Sequence, residues 1–225
     1  MNRDIRDTVI VGGGVSGMSA GIFSARLGLN TLLLERLMPG GQVINAEKVE
    51  DYPGFPNGVS GAELVGLMQD QAMSAGTEIS LTEVTEIKPG DSGIDVITYD
   101  SAIRTHTVII AGGSTLTKLS VPGEDRLEGS GVSYCATCDG AFFLDQKVCV
   151  IGGGDSAFEE ALTLTDFASS VDIYCREPEP HAQAILQTKV DNNEKITIHC
   201  NTEVKKINGD QMVESISIVD SKTHE

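Results

Sequence analysis

The chain has 225 residues, enough to bury a sizeable core and to form two modest domains. Sixteen basic residues against 33 acidic ones leave a net charge of −17, which argues against a nucleic-acid partner. No apolar stretch approaches a membrane span, and five cysteines in a chain this long do not make a disulfide scaffold.

The opening residues, MNRDIRDTVIVGGG, read as a strand beginning rather than a signal peptide, so a cytoplasmic protein is expected. Residues 7–36, DTVIVGGGVSGMSAGIFSARLGLNTLLLER, are an apolar run, a glycine cluster, an amphipathic helix and a second apolar run, which is one βαβ unit. Gly12, Gly14 and Gly17 form GxGxxG directly after the strand TVIV. The first glycine allows the tight turn, the second lets backbone approach a pyrophosphate, and the third lets helix and strand pack closely. The helix N-terminus then offers exposed N–H groups and a positive dipole end to the phosphates. Glu35 closes the second run, where a carboxylate can accept hydrogen bonds from ribose hydroxyls.

Next come TEVTEIK, PGDSG, IDVITY, DSA and THTVIIAGG, read as strand, turn, strand, turn and a returning strand. The stretch 119–134 carries Pro122-Gly123 and the trio Gly129, Ser130 and Gly131, and reads as the domain boundary and a hinge. Within SYCATCDG, Cys135 and Cys138 stand three apart. Zinc needs four ligands, and His106, His181, His199 and His224 form no ligand-spaced cluster, so no metal is expected. A structural staple is possible, but this spacing in a cytoplasmic chain favours redox cycling. Asp139 reads as a proton donor beside the pair, a helix cap being the plain alternative.

Residues 146–177 repeat the first unit, and their loop Gly152-Gly153-Gly154-Asp155-Ser156-Ala157 reads GxGxxA. The spacing agrees, because Gly12 to Glu35 and Gly152 to Cys175 both span 23 residues. Cys175 takes the place of Glu35, followed by Arg176 and Glu177. Arginine suits a 2′-phosphate, and the neighbouring glutamate repels it. Two dinucleotide loops imply one tightly held flavin and one exchanging nicotinamide. ITIHC, NTEVKKI, NGD and QMVESISIVD begin a second meander without a counterpart of TVIIAGG. The fold expected is α/β, with two Rossmann-like dinucleotide-binding units, each with a small antiparallel meander, the second incomplete. Its domains are 1–117 and 118–225, the latter expected to be truncated.

The segments GGGVSGMSAG, ERLMPGGQ, VEDYPGF, CATCDG and GGGDSAFEEA occur in the order found in low-molecular-weight thioredoxin reductases, and the chain resembles them from residue 7 to about 220. The resemblance implies FAD in the first unit and NADPH or NADH in the second. It implies flavin-binding positions at Gly12, Gly14, Glu35, Gly41 and Gln42, accompanied by Gly17, Arg36 and Gly40. Val84 matches a backbone contact to adenine, and Gly112 lies near the returning strand. Asp51 stands where the family often has asparagine. Nicotinamide dinucleotide falls to Gly152, Gly154, Asp155, Ser156 and Arg176, the redox disulfide to Cys135 and Cys138, and the acid to Asp139. One arginine of the family's three NADPH-selecting arginines is present, so weak NADPH preference is expected.

The implied activity passes electrons from NAD(P)H through FAD and the disulfide to thioredoxin or a similar small disulfide protein, in a homodimer. Alternatives are a flavin disulfide reductase or dithiol oxidase with another donor or substrate, or an inactive fragment that does not retain FAD. The last rests on the family's C-terminal return to the flavin domain, which has no match here.

Overall fold

The computed structural model describes residues 5–223, so His224 and the first four residues of the opening segment lie outside the described residues. The chain divides into two compact units, Met1–Thr115 and Leu116–Glu225.

The first unit is built on β1 (Arg6–Val11), α1 (Val15–Arg26), β2 (Thr31–Glu35), α2 (Gly61–Ala75), β3 (Glu78–Leu81), β4 (Val84–Gly90), β5 (Gly93–Thr98) and β6 (Ala102–Ile110). These strands form one sheet in the order β3-β2-β1-β6-β5-β4. β1 pairs in parallel with β2 and β6, while β4, β5 and β6 pair antiparallel. β6 therefore joins the meander to the parallel strands. Strand alternation sends neighbouring side chains to opposite faces. Ile10 and Leu33 pack with Met18 of α1 and Leu64, Val65 and Met68 of α2. Val9, Leu32 and Leu34 pack with Val96 of the meander. α2 starts where Ser60 Oγ accepts the Glu63 N–H at 3.2 Å, and it stops at Gly76 in the left-handed region, φ 106°.

The second unit contains α3 (Ala136–Asp139), β7 (Lys147–Ile151), α4 (Asp155–Leu164), β8 (Ser170–Tyr174), α5 (Ala184–Asp191), β9 (Ile196–His199), β10 (Thr202–Asn208) and β11 (Ser215–Asp220). β7, β8 and β9 make a parallel sheet, and β10-β11 is a separate antiparallel ribbon. Among the described residues no strand links the two as β6 does in the first unit. Phe158 and Ala161 of α4, Val171 and Ile173 of β8, and Leu186 and Val190 of α5 form the core. Both units are α/β, as the repeat in the sequence requires. Among the described residues, no helix is long and apolar enough to cross a membrane.

Candidate active site

In the first unit the glycine loop is fixed by sterics. Gly12 has φ 107°, and a Cβ there would stand 2.2 Å from the Ala111 carbonyl oxygen. A Cβ on Gly17 would stand 1.9 Å from the Gly12 oxygen, so helix and loop approach as only glycine permits. Gly14 caps α1 without any side-chain hydrogen bond, and the first turn carries no acid. The first N–H groups of α1 are therefore left to an anion.

Glu35 Oε2 accepts the Gly13 N–H at 2.7 Å and Oε1 accepts the Leu37 N–H at 3.1 Å, which holds the carboxylate at the loop. Gly40 bridges to Gly14, its N–H donating to the Gly13 carbonyl at 2.8 Å. Gly41 lies against Gly14 as well, a Cβ on it falling 3.2 Å from the Gly14 Cα. Gln42 donates to the Ser114 carbonyl, two residues beyond Gly112, whose own Cβ position is open.

Arg36 pairs with Glu83 at 3.9 Å, beside Val84 at the start of β4. Residues Gly12, Gly14, Gly17, Glu35, Gly40 and Gly41 are thus brought together. Asp51 is exposed in the loop closed by the Val49–Val59 bridge, and among the described residues no hydrogen bond ties it to the glycine loop. A bare helix start, a forced glycine turn and a carboxylate held at the loop fit a dinucleotide. The absence of Cβ atoms leaves room for its pyrophosphate.

The second unit holds a cavity of about 590 Å³ lined by Gly152, Gly153, Gly154, Asp155 and Ser156, with Thr117, Lys118, Tyr174, Arg176, Glu177 and His181. It places together every residue expected to bind nicotinamide dinucleotide. Gly154 caps α4 without a side-chain bond. Asp155 does not point freely into the cavity, because its carboxylate accepts the Gln183 N–H at 2.6 Å and the Gln183 side-chain amide at 2.9 Å. Those bonds hold its pKa below the usual range. Arg176 Nε donates to Glu177 Oε1 at 2.8 Å, so the one matching arginine is paired with the acid beside it. His181 stands over the loop, with its N–H on the Gly153 carbonyl and Nε2 3.0 Å from where a Gly154 Cβ would lie.

Cys135 and Cys138 form a disulfide with Cα atoms 5.3 Å apart, and Cys135 Sγ also accepts the Cys138 N–H at 3.2 Å. The cap at the start of α3 is therefore Cys135 rather than Asp139. Asp139 Oδ2 instead accepts the Ser133 hydroxyl at 2.6 Å, and Ser133 Oγ accepts the Cys135 N–H at 3.1 Å. From α4, Glu160 accepts the Ala136 N–H between the two cysteines. Burial raises the Glu160 pKa against the lowering effect of that bond. Ser133 and Glu160 contact the site without being among the residues expected from sequence, and His181 stands at the place of the family's third arginine. Ser133 lies in the quoted motif, but Glu160 reaches it only because α3 packs on α4. Among the described residues no group of three or more His, Cys, Asp or Glu side chains is placed to hold a metal.

A disulfide in the same unit as one glycine loop, with a second such loop in another unit, is the arrangement of a pyridine-nucleotide disulfide reductase. The chain belongs to that family: the model of pyridine nucleotide-disulphide oxidoreductases matches residues 6–225. Within it, the relatives are thioredoxin reductases. The Bacillus subtilis enzyme is 42% identical over 98% of this chain and 70% of its own length. The Mycolicibacterium smegmatis enzyme is 40% identical over 100% of this chain and 72% of its own. The crystal structure of Lactococcus lactis thioredoxin reductase superposes with a TM-score of 0.93 at 42% identity, covering 98% of this chain and 73% of that one. That of T. acidophilum gives 0.90 at 34%, covering 98% and 72%. The chain is a thioredoxin-disulfide reductase by type, of a family that uses FAD and NADPH.

Proposed function

We propose that residues 1–117 are the FAD domain and that residues 118–225, a division two residues beyond the boundary of the compact units, are the nicotinamide domain that also carries the redox pair. The observation that carries this reading is the Cys135–Cys138 disulfide, which shares a unit with the cavity at Gly152–Ser156. When bound, flavin and nicotinamide supply two-electron transfer.

The chain's own residues do the rest. Gly12 forms the turn, Gly14 leaves room for pyrophosphate, Gly17 lets the helix pack on the loop, and Glu35 accepts from ribose. Gly40, Gly41, Gln42, Arg36, Val84, Gly112 and Asp51 complete the flavin site. Gly152, Gly154, Asp155, Ser156 and Arg176 hold the nicotinamide dinucleotide. Cys135 and Cys138 cycle between disulfide and dithiol. One thiolate attacks the disulfide of thioredoxin, and the second cysteine resolves the mixed disulfide. Asp139, oriented by Ser133, holds the proton exchanged with the pair.

The Arg176–Glu177 ion pair supports a weak preference for NADPH over NADH, since the arginine's charge is already matched. A cytoplasmic homodimer acting on thioredoxin, without nucleic acid or membrane, completes the proposal. The net charge of −17 and the family resemblance support it.

Thiol trapping tests the reading. The full chain, loaded with FAD, is given NADPH without oxygen and then alkylated. Label on both Cys135 and Cys138 is the expected result, and an intact disulfide with FAD bound would refute it. Sedimentation velocity tests the dimer.

A further inference from the structure

β8 and β9 run parallel, their ladder ending with Tyr174 opposite His199, and Cys175 and Cys200 are the residues that follow each strand directly. Backbone bonds close the chain around them. The Cys175 N–H donates to the His199 carbonyl at 3.0 Å, and the Thr202 N–H donates to the Cys175 carbonyl at 2.9 Å. The two sulfur atoms are 3.1 Å apart, and both cysteines are free thiols. Cys175 is buried, whereas Cys200 is half-buried. Neighbours in parallel strands lie about 4.8 Å apart, inside the Cα range of about 4.4–6.8 Å that a disulfide spans.

We propose that Cys175 and Cys200 are a second oxidisable dithiol, separate from Cys135–Cys138, that takes hydrogen peroxide as oxidant and closes as a disulfide at the rim of the nucleotide cavity. The Cys200 thiolate attacks one peroxide oxygen. The O–O bond breaks, and hydroxide leaves to be protonated by solvent. The Cys175 sulfur then attacks the resulting sulfenic acid, the S–O bond breaks, and hydroxide leaves with the Cys175 proton as water. Two thiols become one disulfide and one peroxide becomes two waters. A dithiol reverses the step by exchange.

Burial, and then the neighbouring Cys200, push the Cys175 thiol above its ordinary range, which makes Cys200 the first nucleophile. Closure draws the sulfurs together by about 1 Å to the usual S–S length. Arg176 and Glu177 follow Cys175 directly and line the cavity. The Glu177 carbonyl accepts the Asn201 N–H at 3.0 Å, so both cysteine-bearing segments move together. The consequence for NADPH rests on the nucleotide reading of this cavity. A bond formed directly before Arg176 is expected to weaken NADPH binding about threefold.

The test uses the reduced full chain and its Cys200→Ser variant, each given a small molar excess of hydrogen peroxide sufficient to close both dithiols, alkylated and peptide-mapped, with NADPH binding measured by calorimetry before and after. In the wild type a Cys175–Cys200 peptide and the weaker NADPH affinity are expected, and dithiothreitol restores the affinity. The Cys200→Ser variant closes only Cys135–Cys138 and keeps its affinity. Full alkylation of Cys175 and Cys200 after Cys135–Cys138 has closed would overturn the proposal. A crosslink with unchanged NADPH affinity supports the dithiol and overturns its coupling to the cavity. Failure of the reduced chain to bind NADPH counts against the nucleotide reading, while the peptide map still reports on the dithiol.

Discussion

Single atoms decide the glycine loop. A methyl at Gly12 would sit 2.2 Å from a carbonyl oxygen at a φ that side chains rarely adopt. Gly12→Ala is therefore expected to destabilise the first unit by about 2 kcal/mol or more and to abolish flavin retention, read by thermal unfolding and visible absorbance. Glu124 is a second case. It is buried, with 3% of its surface exposed. Burial alone would raise its pKa, but the Leu119 N–H at 2.9 Å, the Tyr134 hydroxyl at 3.0 Å and the Ser120 N–H at 2.6 Å outweigh that and hold it low. A depressed folded pKa means the ionised form stabilises the fold above the ordinary value of 4.5, and that this contribution fades as pH falls through the folded value. Glu124→Gln should cost about 1.5–3 kcal/mol at neutral pH in urea unfolding, and the gap to wild type should close in acid. A pH-independent gap would mean that charge is not what the site uses.

At the scale of elements, caps and strand ends set what each unit can bind. Ser60→Ala removes the one side-chain cap of α2 and is expected to lower stability by about 1 kcal/mol, measured by chemical denaturation. The proposed nucleotide preference is tested at the end of β8. Glu177→Arg would release Arg176 from its ion pair and place two cations where an arginine–glutamate pair now stands. The ratio of kcat/KM for NADPH over NADH should rise about tenfold. An unchanged ratio would place the 2′-phosphate elsewhere.

The elements also show what a sequence carries. Both glycine loops, Glu35 and the β4–β6 meander were legible, because their requirements are local: positive φ, close backbone approach and strand alternation. The returning run TVIIAGG was legible as a strand, and its pairing with β1 came from the structure. His181 was visible at the place of the family's third arginine. Glu160 was not legible as a site residue, because it reaches its loop through packing between elements distant in sequence. Nor was the separation of β10-β11 from the β7-β8-β9 sheet, since alternation gives a strand but not its partner. Cys175 was visible as a substitution, yet its contact with Cys200 needed the register of β8 and β9.

For the whole molecule, repetition organises chemistry. Two copies of one βαβ design supply two glycine loops, and the Cys135–Cys138 disulfide sits on the segment leading into the second. The central claim is that this disulfide is the route by which NADPH electrons reach thioredoxin. Its most direct test is NADPH consumption by the FAD-loaded full chain, with and without oxidised thioredoxin, in the wild type and in Cys135→Ser. Consumption that depends on thioredoxin and falls to background in the variant is the predicted result. Equal consumption by the variant, or none by a wild type that holds FAD, would contradict it.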